Sequence, residues 1–147
     1  FIRVMEKTSG LQLHWYYRYW IQTTKTIDYE IGSVREQDGA AFVTLNRIGA
    51  FPMPIDLVVT YKDGNKELFY ISMNELGGNK PAEDKSITRT ELDAWPWVNP
   101  SYILKVNRSL SQIESIEIDP SMRMADVNRT NNKVVMTDLI PYKDPTK

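Results

Sequence analysis

The chain carries one histidine, His14, and no cysteine, and this settles most of the chemistry open to it. A Ser-His-Asp arrangement would have to use His14, and no G-x-S-x-G turn presents a serine for it. Zinc takes three or four nitrogen, sulfur or carboxylate ligands, yet no H-E-x-x-H, paired histidine or C-x-x-C occurs. His14 therefore reads as a solvent-facing or interface residue. Gly77-Gly78-Asn79-Lys80 lacks the rest of a phosphate loop. Glu83, Asp84, Glu91 and Asp93 could pair as acid and base, but they fall in a polar stretch with nothing to raise a carboxyl pKa.

Two further constellations merit weighing. Asp126, Asn128, Thr130 and Asn132 place oxygen atoms at alternate positions, as a calcium loop does. The sixth position is Asn131 where such a loop needs glycine, and the twelfth is Thr137 where it needs a bidentate glutamate. Asp119-Pro120 before it and the Asp, Asn and Ser residues within it read instead as a strand end with turns, each side chain bonding its own backbone. Trp95 and Trp97 lie two apart and would share one face of a strand, a platform for a sugar ring or a peptide, or else core and contact residues.

The elements that must position these residues follow from periodicity. Phe1 to Lys7 reads as a helix end stopped by Ser9-Gly10. Leu13, Tyr16, Tyr17, Trp20 and Ile21 then recur at the spacing of one helical face. Leu11, Trp15 and Tyr19 fall on the opposite side, so this helix is apolar round most of its circumference and needs cover on more than one side. From Lys25 the period becomes two: Ile27–Ile31, Val43–Leu45, Ile55–Tyr61, Glu67–Met73, Tyr102–Val106 and Ile116–Ile118 alternate as strands, and Asp63-Gly64-Asn65 marks a hairpin. Pro52 and Pro54 suggest that the Ile55 strand enters late or along an edge. Residues 74–92 read as one long surface connection. With a strand at Trp95–Trp97, about seven strands result, and the expected fold is mainly β: an antiparallel two-sheet sandwich of immunoglobulin or fibronectin type with a short N-terminal helical segment. The expected division is residues 1–24 as the helical segment and 25–147 as the sandwich.

A chain of 147 residues can bury its own core. Lys and Arg number 18 against 19 Asp and Glu, so no basic field exists to gather nucleic acid. No run approaches the roughly 20 apolar residues of a membrane helix, and no signal peptide opens the chain. The sequons at Asn107 and Asn128 are short enough to arise by chance. The absence of cysteine fits a bacterial protein, periplasmic or extracellular, and the initial Phe suggests processing or chosen boundaries.

Three stretches carry a resemblance. "FIRVMEKTSGLQLHWYYRYWIQTTKTIDYEI" resembles the segment of aminopeptidase-N-like zinc metallopeptidases, a gluzincin family, in which the last helices of the catalytic domain pass into a β domain. Phe1, Glu6, Ser9, Gly10, Leu13, Trp15, Tyr16 and Trp20 occupy similar places. "RIGAFPMPIDLVVTYKDG" and "WPWVNPSYILKVNRSLSQIESIEIDPSMRMADVNRTNN" are similar to the sandwich that follows in bacterial members. The resemblance implies a helical remnant of the catalytic domain plus an accessory β domain that braces it and shapes access of peptide substrate. It also implies zinc in the parent enzyme, with no zinc ligand or catalytic residue in this chain. Trp15, Tyr19 and Trp20 would then pack at a domain junction, and the helix, left uncovered, would promote self-association. The rival expectation is a free-standing carbohydrate- or peptide-binding module using Trp95 and Trp97.

Overall fold

The computed structural model describes residues 1–74 and 80–138, and the glycine pair at Gly77 lies outside them. Two helices come first: α1 (Ile2–Ser9), closed by Gly10 in the left-handed region at φ 71°, and a single turn, α2 (His14–Tyr16), running into a π-helical turn at Tyr17–Ile21. Eight strands follow: β1 (Tyr29–Gln37), β2 (Ala40–Arg47), β3 (Ile55–Tyr61), β4 (Lys66–Met73), β5 (Thr88–Trp95), β6 (Ser101–Val106), β7 (Ile113–Ile118) and β8 (Lys133–Val135). They form one sheet in the order β1-β2-β6 and a second in the order β5-β4-β3-β7-β8.

The expected sandwich is present. In β3, Ile55, Leu57, Val59 and Tyr61 are buried while Asp56, Val58 and Thr60 are half-buried, the period of two made physical. Those side chains meet Val43, Leu45, Leu104 and Val106 of the other sheet in a single hydrophobic cluster. The β3–β4 hairpin turns at the expected place, with Gly64 at φ 85° and the Asp63 carboxylate accepting the Asn65 N–H at 2.9 Å. A positive φ of that kind is what short hairpin loops ask of their glycines. A tighter hairpin joins β1 to β2 through Asp38-Gly39, both at positive φ, as a two-residue primed turn requires.

Three details go beyond the sequence reading. Among the described residues eight strands form where about seven are expected, the short β8 pairing with β7. β5 occupies the latter part of the stretch read as a long connection, and it runs parallel to β4; the other strand pairs among the described residues are antiparallel. A parallel return needs a connection of about a dozen residues or more, which the stretch between Met73 and Thr88 supplies. β3 enters late, directly after Pro54, the first of the two expectations for it, and it is the central strand of its sheet.

The N-terminal segment was expected to be apolar on two sides, and its sides are unequally covered. Leu13, Trp15 and Tyr19 are buried, whereas Tyr17, Trp20 and Ile21 are exposed and Tyr16 is half-buried, so the side carrying Trp15 and Tyr19 is the inner one. Periodicity could not rank two apolar faces; ring packing does. The Tyr19 ring lies 5.3 Å from Phe51 and 6.1 Å from Trp97, which anchors the turn to the sandwich. Trp15 and Tyr19 thus belong to the same cluster as the sheets.

Candidate functional site

The two sheets meet at one end where two connections cross between them: residues 48–54 from β2 to β3, and 96–100 from β5 to β6. Four strand ends gather there. Tyr29 opens β1 opposite Arg47, which closes β2, and Met73 closes β4 beside Trp95, which closes β5. Between them lies a cavity of about 260 Å³, walled by Tyr29, Arg47, Met53, Met73, Trp95 and Trp97, with Val98 at 84 % exposure on its rim. Apolar rings and thioethers around one charged group make the usual composition of a small-molecule site.

Each wall is fixed by a bond or a stack. Trp95 is buried, edge-on to Tyr29 at 5.6 Å, and its indole N–H donates to the Asn99 carbonyl at 2.9 Å. The Tyr29 hydroxyl accepts the Met53 N–H at 3.0 Å and donates to the Phe51 carbonyl at 3.4 Å. Burial pushes its pKa up to about 12, against the smaller opposing pull of the Met53 bond and of Arg47. Trp97 lies outside any strand, half-buried, with the Arg47 guanidinium 3.5 Å above its ring centre. Arg47 also donates from Nη2 to the Trp97 carbonyl at 2.7 Å. The result is a cation–π stack tied at both ends.

The structure therefore brings Trp95 and Trp97 together, but not as a flat platform on one strand face. Pro96 ends β5 after Trp95, so the two rings become walls of a hollow instead. Arg47 and Tyr29 went unremarked in the sequence as site residues. The signal available was weak: a cation and a phenol at the facing ends of two alternating runs.

The Asp126 stretch is a turn system. Asp126 Oδ2 accepts the Tyr29 N–H at 3.0 Å and the Asn132 amide at 3.2 Å, and Oδ1 accepts the Asn128 N–H at 2.9 Å. The Asn128 side-chain oxygen accepts from the Thr130 hydroxyl at 2.7 Å. Asp119 holds the preceding corner by accepting the Arg123 and Met124 N–H groups at 3.1 and 2.9 Å and by pairing with Arg129 at 3.3 Å. The Oδ1 atoms of Asn131 and Asn132 are buried without a hydrogen bond. Calcium needs about six to eight oxygens, however, and the carboxylates here are already engaged by N–H donors.

The other candidates stay apart. His14 is exposed in a shallow hollow with Gln12, Trp15 and Arg18. Burial works to raise Glu83, but Lys80, Ser121 and Arg123 outweigh it and hold the carboxyl below its ordinary range. Asp84 is held low by bonds from Ser86, and Glu91 pairs with Arg89 at 3.3 Å. Lys80 bridges Asp56 and Glu83 at 2.6 Å each, a clasp on the β4–β5 connection. Among the described residues no group of three or more His, Cys, Asp and Glu could hold a metal ion. Among them, too, no helix is long and apolar enough to cross a membrane.

Trp15 and Tyr19, expected at a domain junction, are enclosed by the chain's own core, while Trp20 keeps 36 % of its surface exposed beside Phe51. Comparison with protein-family models, with curated proteins and with solved structures finds no match in any of the three. The likeness to the aminopeptidase-N-like family therefore rests on the three quoted stretches alone.

Proposed function

We propose that this chain is a non-catalytic accessory domain that braces a neighbouring catalytic domain of the same parent protein, a zinc aminopeptidase on the strength of the sequence resemblance. The observation that supports the reading is α1: eight residues in helical form, none of them buried. Isolated helices shorter than about 12 residues are marginal in water, and most helical stability in proteins comes from packing. Phe1 is 94 % and Val4 68 % exposed, and Tyr17, Trp20 and Ile21 are exposed nearby in sequence. Together they offer apolar surface that a second body would cover. Peptide cleavage belongs to that second body, and this chain acts by holding it. The test is to read the encoded sequence before Phe1. An H-E-x-x-H signature within a few hundred residues (on the order of two domain lengths) is the expected result; a free-standing reading frame overturns the proposal.

A second reading, a ligand-binding module, is favoured by one observation: Trp97, half-buried, and Trp95, at the margin of the core, both line a cavity. The two readings are compatible, because the cavity and the exposed helix use different surfaces.

A further inference from the structure

The cavity holds one charged group, and its surroundings are unusual for that group. Arg47 is half-buried, and its Nε is shielded from solvent with no hydrogen-bond partner. Among the described residues its one side-chain hydrogen bond is to a neutral carbonyl, that of Trp97, and no carboxylate lies within ion-pair distance. A guanidinium with one nitrogen shielded from water and no anion beside it is held at a cost, which an arriving carboxylate would offset. Arginine suits that task because its planar fork matches a carboxylate.

The remaining walls specify the rest of the ligand. Tyr29, Trp95 and Trp97 supply ring faces, and Met53 and Met73 supply soft, adaptable surface. The volume, about 260 Å³, lies just below the range of drug-sized pockets, so the occupant is small. Resting on the binding-module reading, we propose that the cavity takes a small monocarboxylate with an apolar or aromatic body, its carboxylate against Arg47 and its body between Trp95 and Trp97. Such a group exists either as a free acid or as the C-terminal residue of a peptide; the chemistry is shared.

Tryptophan fluorescence titration of the whole chain tests this with four probes: 3-phenylpropionate, its uncharged amide, an acetylated dipeptide ending in phenylalanine, and a neutral hexose. The expected result is saturable quenching by the acid, with the amide at least about tenfold weaker, as the loss of a charge-assisted bond implies. The dipeptide matching the acid would assign the site to peptide C termini, and the acid alone would assign it to free acids. Amide or hexose binding as well as the acid would overturn the carboxylate inference while leaving a binding module. No probe binding would overturn both. Val98→Asp, on the exposed rim, places an internal carboxylate at the mouth and should weaken the acid by several fold without touching the core. Arg47→Gln should bring acid and amide to equal affinity. The wild-type comparison of acid with amide stands even if Arg47→Gln does not fold.

Discussion

Asp126→Ala is the substitution whose cost the structure states most clearly. The carboxylate accepts three N–H groups, from Tyr29, Asn132 and Asn128. Tyr29 and Asn132 are 2 % and 1 % exposed, so water cannot readily replace the lost acceptor at either. Each buried donor left unsatisfied costs about 1–3 kcal/mol, while the Asn128 N–H, in an exposed residue, regains water and adds little. The two losses share one site and will not simply add, so the expected destabilisation is about 3 kcal/mol. Against a total of roughly 5–15 kcal/mol this is large, and at an m value of about 2 kcal/mol/M it moves the urea midpoint down by about 1.5 M. Urea unfolding followed by tryptophan fluorescence measures it, with Glu114→Ala, at an exposed position of β7, as a control expected within about 0.5 kcal/mol. Calcium added to the wild type should leave the midpoint unchanged. A loss below about 1 kcal/mol for Asp126→Ala, under the range for even one orphaned donor, or a calcium-dependent rise, would refute the assignment of this carboxylate to turn chemistry.

Other outcomes follow from the same geometry. Burial raises the Tyr29, Tyr61, Tyr70 and Tyr102 hydroxyls above the ordinary 10.0, so an absorbance titration of the eight tyrosines should show a late-ionising set. The neutral Tyr29 is favoured in the fold, so its contribution is complete below pH 10.0 and is lost as pH rises through about 12; Tyr29→Phe should remove one late step. Burial pushes Glu83 up, but its bond from Lys80 helps hold it below the ordinary 4.5, so its contribution is present above that pH and lost as pH falls through the folded value. Glu83→Gln should flatten the acid limb of a stability–pH curve. A Cβ on Gly49 would strike the backbone of Thr26 and lie 2.6 Å from the Asp28 nitrogen. Gly49→Ala should therefore destabilise by about 1–3 kcal/mol in thermal unfolding.

What the sequence disclosed was the part governed by alternation. β3 and β4 stand inside a sheet, where one face must be apolar throughout, and both were legible with their hairpin. β5 was not: Thr88, Glu91 and Asp93 are exposed, as an edge strand allows, and its half-buried Arg89 covers the Tyr70 ring at 4.2 Å instead of contributing an apolar residue. The Asp38-Gly39 turn carried its signal in two residues, but the sequence reading passed over it. For the N-terminal segment, residue type gave the apolarity but not the face, because that choice depends on Phe51 and Trp97, far along the chain. The cavity was half visible. Trp95 and Trp97 are conspicuous by type, whereas Arg47 gains its meaning only when Pro96 turns Trp97 beneath it.

Solvent accessibility of the N-terminal segment bears most directly on the accessory-domain reading. Hydroxyl-radical footprinting should compare this chain alone with the same residues in the full encoded protein. The account predicts protection of Phe1, Val4, Tyr17, Trp20 and Ile21 in the longer protein, with the buried Trp15 and Tyr19 unreactive in both. Equal labelling of the five exposed residues in the two forms would contradict it.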